Sequence, residues 1–211
     1  MKFLLKFLLL TVLTAAFVKA EELQTGDLVF VSECSGEFSH SISESTAWND
    51  SLRYIHVGVV EVDSVGESKI IEAYPEKGVT VTSLEDFIMH NLSPECNNLI
   101  VFKRLIVPFS VDESIKKAKS HLGEEYDWWF MSDNGKMYCS ELIVDSYLFE
   151  NGESVFHTIP MNFRTAEGDM PLFWIELFGR LGCEIPEGAP GSNPQALGND
   201  NRLRIVGYKR L

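Results

Sequence analysis

The sequence predicts an α+β fold built on an antiparallel sheet. Three observations lead there: short β-branched runs follow one another with brief polar turns between them, amphipathic helical stretches are segregated from most of those runs, and 45% of the residues are hydrophobic.

The elements follow in order. Gly26-Asp27-Leu28-Val29-Phe30-Val31 reads as a strand entered from a turn. Ser32 to Leu52 is rich in Ser and Glu without a sustained period and is expected to be a long loop or short helix over one edge of the core. His56 to Val62, a turn at residues 63–67 and Lys69 to Tyr74 make a β-hairpin. Val79 to Thr82 is a further short strand, and Ser83 opens a short helix through Leu84, Phe87 and Ile88. Leu99 to Leu105 is another strand, closed by Pro108. Ser110-x-x-Glu113 has the form of a capping box, and Ile115, Ala118 and Leu122 give the stripe of a helix that stops at Gly123. A further helix is expected from about Cys139 to Phe149, ending at Asn151-Gly152. The tail from 159 to 211 holds five of the eight prolines and reads as an arm wrapping the core, with Leu203 to Tyr208 as a last strand. Residues 21–211 are therefore expected to form one domain.

The first twenty residues read as a removable export signal. Lys2 and Lys6 precede the apolar run Phe7 to Val18, and Val18-Lys19-Ala20 places small residues where a signal peptidase reads, so a cut is expected before Glu21. The run is too short to span a bilayer, so no stable membrane insertion is expected after its removal. The whole chain carries -13; without Lys2, Lys6 and Lys19 it has 15 basic against 31 acidic residues, or -16. Such a surface repels phosphate backbones, so no nucleic-acid partner is expected. The compartment implied is periplasmic or extracellular, where disulfides persist. Cys34, Cys96, Cys139 and Cys183 are widely spaced, with no CxxC pair.

Polar residues in apolar runs point to the chemistry. His56 opens a strand of Val and Gly, and Glu72 interrupts the run Ile70 to Ala73. With the turn centred near residues 64 to 65, paired residue numbers sum to about 128 to 130, so His56 faces Glu72 directly or diagonally on one face. Glu61 has the wrong parity to join them. A carboxylate beside an imidazole sets its tautomer and favours its charged form, which suits a base that activates a nucleophile. Cys139 in Tyr138-Cys139-Ser140-Glu141-Leu142 stands at a helix start, where unpaired amides and the dipole favour a thiolate and offer donors to an oxyanion. Ser140 reads as part of the helix cap, and Cys34, Cys96 and Cys183 as packing residues or one disulfide. His40, His90, His121 and His157 make no metal-ligand spacing; only a meeting of His40, His56 and Glu72 in space would supply a metal site, and none is expected. Tyr126-Asp127-Trp128-Trp129-Phe130 reads as core or pocket wall. There is no P-loop, GxGxxG or GxSxG, and no organic cofactor is expected.

Taken in order, Gly26-Asp27-Leu28-Val29-Phe30, His56-Val57-Gly58-Val59-Val60, Glu72-Ala73, Gly123-x-x-Tyr126-Asp127 and Tyr138-Cys139-Ser140-Glu141-Leu142 resemble the permuted NlpC/P60-type papain-like cysteine hydrolases, in particular the YiiX/YaeF amidase group. Pro190-Gly191-Ser192-Asn193-Pro194 is similar to that group's PGTNP segment, with Ser192 in place of Thr. The resemblance implies a circularly permuted papain-like core, with His before Cys in the chain, and a triad carried onto Cys139, His56 and Glu72. It also implies that Tyr138 lines the substrate site. The expected activity is that of an exported cysteine hydrolase, an amidase or peptidase acting on an amide bond such as one in cell-wall peptides. The alternatives are a lipid-directed acyltransferase or acyl hydrolase with the same triad, acting on lipid amides, and an inactive binding module.

Overall fold

The computed structural model describes residues 21–47 and 50–210. The export-signal reading of residues 1–20 lies outside the described residues. In chain order the elements are β1 (Leu28–Ser32), α1 (Glu37–Thr46), β2 (Tyr54–Val62), β3 (Ser68–Tyr74), β4 (Gly78–Ser83), α2 (Leu84–Asn91) and β5 (Ile100–Leu105). They continue with α3 (Val111–Ser120), α4 (Cys139–Ser146), β6 (Ile159–Pro160), α5 (Leu172–Leu181), β7 (Pro190–Gly191), α6 (Pro194–Gly198) and β8 (Leu203–Lys209).

Six strands form one sheet in the order β4-β3-β2-β1-β5-β8, and every neighbouring pair in it is antiparallel. The expected α+β class with an antiparallel sheet is what the chain adopts. β1 is buried along its whole length because successive side chains serve two different cores. Leu28 and Phe30 join Val57, Val59 and Ile71 in the larger one, against Leu142 and Ile143 of α4. Val29 and Val31 join Val60, Ile70 and Ile100 in the smaller one, closed by Phe87 of α2. Asp27, just ahead of β1, is 1% exposed and takes the Arg104 guanidinium in two bonds of 2.6 and 2.8 Å, tying β1 to β5.

Two helix ends differ from the sequence reading, one in its capping and one in its length. Ser110 sits at the N-cap of α3 as expected, but its side chain caps nothing; its N–H instead donates to Leu148 O at 2.8 Å. α4 ends at Ser146, three residues early, because Tyr147 turns extended and sends its hydroxyl to Gly26 O at 2.9 Å. The tail is more structured than an arm with one strand. It adds α5, the small β6–β7 sheet and α6, and its Met161, Phe163, Trp174 and Phe178 are buried in the larger core.

Candidate active site

The β2–β3 hairpin puts His56 and Glu72 on one face. Val59 pairs with Ile71 and Val60 with Ile70, a sum of 130, so Glu72 lies diagonal to His56. Gly58 occupies the position between them. A Cβ there would stand 2.6 Å from Ile70 Cγ2 and 3.4 Å from Glu72 Cβ, so the bare backbone lets the Glu72 side chain lean across. The β1–β2 register shifts beside Val31 and Ser32, leaving Ile55 as an extra residue next to His56; such bulges re-aim neighbouring side chains. His56 Nε2 and Glu72 Oε2 are 2.7 Å apart, and Thr82 of β4 donates its hydroxyl to Glu72 Oε1 at 2.7 Å. Only 7% of His56 and 3% of Glu72 is exposed, so a carboxylate with both oxygens engaged is what makes the burial tolerable.

Cys139 is the first residue of α4, with the extended Tyr138 as N-cap, and α4 packs on β2 and β3. The first intrahelical bond runs from Leu142 N to Tyr138 O at 3.1 Å, which leaves the Cys139 amide without an intrahelical partner. Cys139 is buried beside His56, close enough that the two influence each other's charge. Burial opposes charge on this ring, but its interactions with Cys139 and Glu72 outweigh it and lift His56 to about 10. Phe87 stacks on the imidazole with ring centres 6.0 Å apart and holds its plane.

Two clefts flank the Cys139–His56 pair. One, of about 460 Å³, touches Cys139 and is walled mainly by Ile42, Ile55, Phe130, Met161, Phe163 and Trp174. The other, of about 900 Å³, touches His56 and is lined by Phe38, Tyr74, Glu76, Asn91 and Trp128. Tyr126 borders both, close enough to Cys139 that a thiolate would add to the burial that holds its phenol well above the usual range. Within the aromatic run after Gly123, Tyr126, Trp128 and Phe130 are therefore pocket wall, while Trp129 packs against the Lys136 ammonium.

Tyr138 also borders the Cys139 cleft, but its hydroxyl is spent on the tail, accepting the Ser192 N–H at 3.0 Å. Ser140 is fully buried, and its Oγ takes the Ser192 hydroxyl at 3.0 Å, so it anchors the tail and does not cap the helix. Reading the sequence did not find Thr82, the tie from Ser192 to Ser140, or the cleft walls supplied by α1 and α5. The alternation of Thr80 and Thr82 with Val in β4 was the available signal, since it puts two hydroxyls on the face that carries Glu72.

Other candidates stay apart. Glu61 pairs with Lys119. His40 turns to Glu33 and Glu44 and does not reach His56, and His121 is held between Glu124 and Asp145. Among the described residues no group of three or more His, Cys, Asp or Glu is placed to hold a metal ion. Cys34 and Cys96 form a disulfide, while Cys183 is free and exposed, so it is not a packing residue.

Residues 22–207 match the family described as permuted papain-like amidase enzyme, YaeF/YiiX, C92 family. The chain belongs to this family. As a C92 amidase it is a papain-like cysteine hydrolase with a permuted fold. The crystal structure of the metalloprotein YiiX from Escherichia coli O157:H7 is similar over 90% of this chain and 100% of that one, with a TM-score of 0.69 and 25% identity. No curated protein matches the chain. No helix among the described residues of this C92 member is long and apolar enough to cross a membrane.

Proposed function

We propose that this protein is an exported amidase in which Cys139 is the nucleophile, His56 the acid and base, and Glu72 the residue that orients and charges His56. The carrying observation is the buried line from Glu72 through His56 to a cysteine at a helix start, opening on two clefts. Cys139 attacks the amide carbon as thiolate, and its own backbone N–H supports the oxyanion. Imidazolium His56 gives its proton to the leaving amine, which departs as the thioester forms. Water then attacks the thioester with His56 taking its proton, and the acid leaves as Cys139 is regenerated.

The reading takes residues 1–20 as the export signal and 21–211 as the catalytic domain, with NlpC/P60-type chemistry. Export is supported by the Cys34–Cys96 disulfide, which suits an oxidising compartment such as the periplasm or the cell exterior. Cell-wall peptides are one amide substrate class. A lipid amide is the second reading, favoured by the apolar wall of the cleft at Cys139. A panel of peptidyl and fatty-acyl p-nitroanilides separates them by which series releases the aniline faster. Cys139→Ala should abolish turnover of whichever series reacts; a variant that keeps full turnover would overturn the mechanism.

A further inference from the structure

Glu72 has two oxygens, and its proposed role uses one. Oε2 meets His56 Nε2 at 2.7 Å; Oε1 meets the Thr82 hydroxyl at the same distance. Thr82 sits on β4, opposite Ile70 and one pleat from Thr80, which is the residue paired with Glu72. The contact is thus diagonal, and it comes from a different strand from either acid–base partner. A threonine hydroxyl on a strand is stiff, because the β-branched side chain is held to few rotamers. It therefore fixes the carboxylate's plane, which a backbone contact from a mobile loop would not do.

We infer that Thr82 is a positioning residue for the reaction: by bonding Glu72 Oε1 it holds the carboxylate aimed at His56, and through Glu72 it holds His56 in place beside Cys139. This inference rests on the proposed roles of Cys139, His56 and Glu72. The other groups that face this line are few. Tyr74 on β3 and Glu76 in the following turn lie on the cleft side, and Tyr126 stands near Cys139. α2 contributes the uncharged Phe87 ring, and β4 contributes Thr82 itself. No cation among them replaces the hydroxyl as a partner for Oε1. Losing the bond leaves a buried carboxylate oxygen unpaired and lets Glu72 turn, so His56 is held less firmly beside Cys139 and its imidazolium supports the thiolate less well.

The test needs no substrate. The rate at which iodoacetamide alkylates Cys139 is followed against pH by peptide mass spectrometry, with exposed Cys183 in the same molecule as internal reference. Thr82→Val, which keeps shape and β-branching, should move the acid limb for Cys139 up by about half a pH unit, which is about three-fold slower alkylation on that limb. Cys183 should be unchanged, and Thr82→Ser should restore most of the wild-type profile. In a Glu72→Gln background, Thr82→Val should produce no further shift. An unshifted limb in Thr82→Val, an equal shift in Thr82→Ser, or an additive shift in the Glu72→Gln background would each overturn the role. Should Thr82→Val not fold, Thr82→Ser and Thr82→Ala in the Glu72→Gln background decide by the same criterion of additivity. If Cys139 reacts no faster than Cys183 in the wild type, it is the nucleophile assignment that fails, and Thr82 falls with it.

Discussion

The hydroxyl of Tyr138 accepts the backbone N–H of Ser192 at 3.0 Å, across 54 residues of chain. The tail thereby braces the residue immediately before the proposed nucleophile. Gly191 leaves room for this approach, since a Cβ there would clash first with Met161 and would stand 3.0 Å from the Tyr138 oxygen. Tyr138→Phe should therefore cost stability before it costs substrate binding. Removing the acceptor of a buried N–H is worth about 1–3 kcal/mol. Urea denaturation should show that loss, with KM changed little; a large rise in KM at unchanged stability would return Tyr138 to a direct role with substrate.

Gly58 is constrained by close approach. An added methyl meets Ile70 and the Glu72 stem, so either the strands part or Glu72 moves off His56. Gly58→Ala should destabilise by about 1–3 kcal/mol, the usual cost of overpacking. Amidase activity should fall further than the lost stability explains. Full activity in a folded Gly58→Ala protein would show that the diagonal reach does not depend on the missing side chain.

Two buried groups set the response of stability to pH. His56 titrates near 6.5 when unfolded and at about 10 when folded. The native state therefore binds the extra proton between those values, and the stability it contributes is full below about pH 6.5 and lost as pH rises through about 10. Burial lifts Glu141 from 4.5 to about 8, against the bond from the Tyr138 N–H, so stability also falls from about pH 4.5 to about 8 as that carboxyl is forced to ionise. Glu141→Gln should remove the second slope and raise the urea midpoint above wild type at pH 9. A midpoint no higher than wild type at that pH would contradict the raised value.

The Cys34–Cys96 bridge closes a loop with a sequence separation of 62 that contains α1, β2, β3, β4 and α2. Chain-entropy arguments give about 4 kcal/mol for a loop of this length. Cys34→Ser with Cys96→Ser should lower the denaturation midpoint, and dithiothreitol should bring the wild type to the same value. Equal midpoints for oxidised wild type and the double variant would show the bridge to be dispensable.

The hairpin was legible because side chains alternate with period two: once the turn was placed at residues 63–67, His56 and Glu72 had to share a face. The start of α4 was legible from its own residues, since an apolar helical stripe begins at Cys139. Thr82, Ser192 and the walls at Ile42 and Trp174 were not. Ser192, Ile42 and Trp174 reach the site from elements whose positions are set by packing with residues far away in sequence, while Thr82 needed the register between β3 and β4. α1 hid for a related reason. Its segment Glu37–Thr46 is mostly polar, and its serines 41, 43 and 45 are buried, so no apolar stripe announces it.

The sequence by itself determined the class of fold, the face that His56 and Glu72 share and the three residue types of the proposed site, because these depend on local periodicity and on order along the chain. Only the tertiary structure decided which partners those residues keep: Thr82 on Glu72, the tail on Tyr138 and Ser140, and α1 with α5 around the cleft. The first crosses between strands and the others join segments more than fifty residues apart. They form because the buried apolar surface outweighs the entropy of closing the loops between them, and no local pattern records that balance.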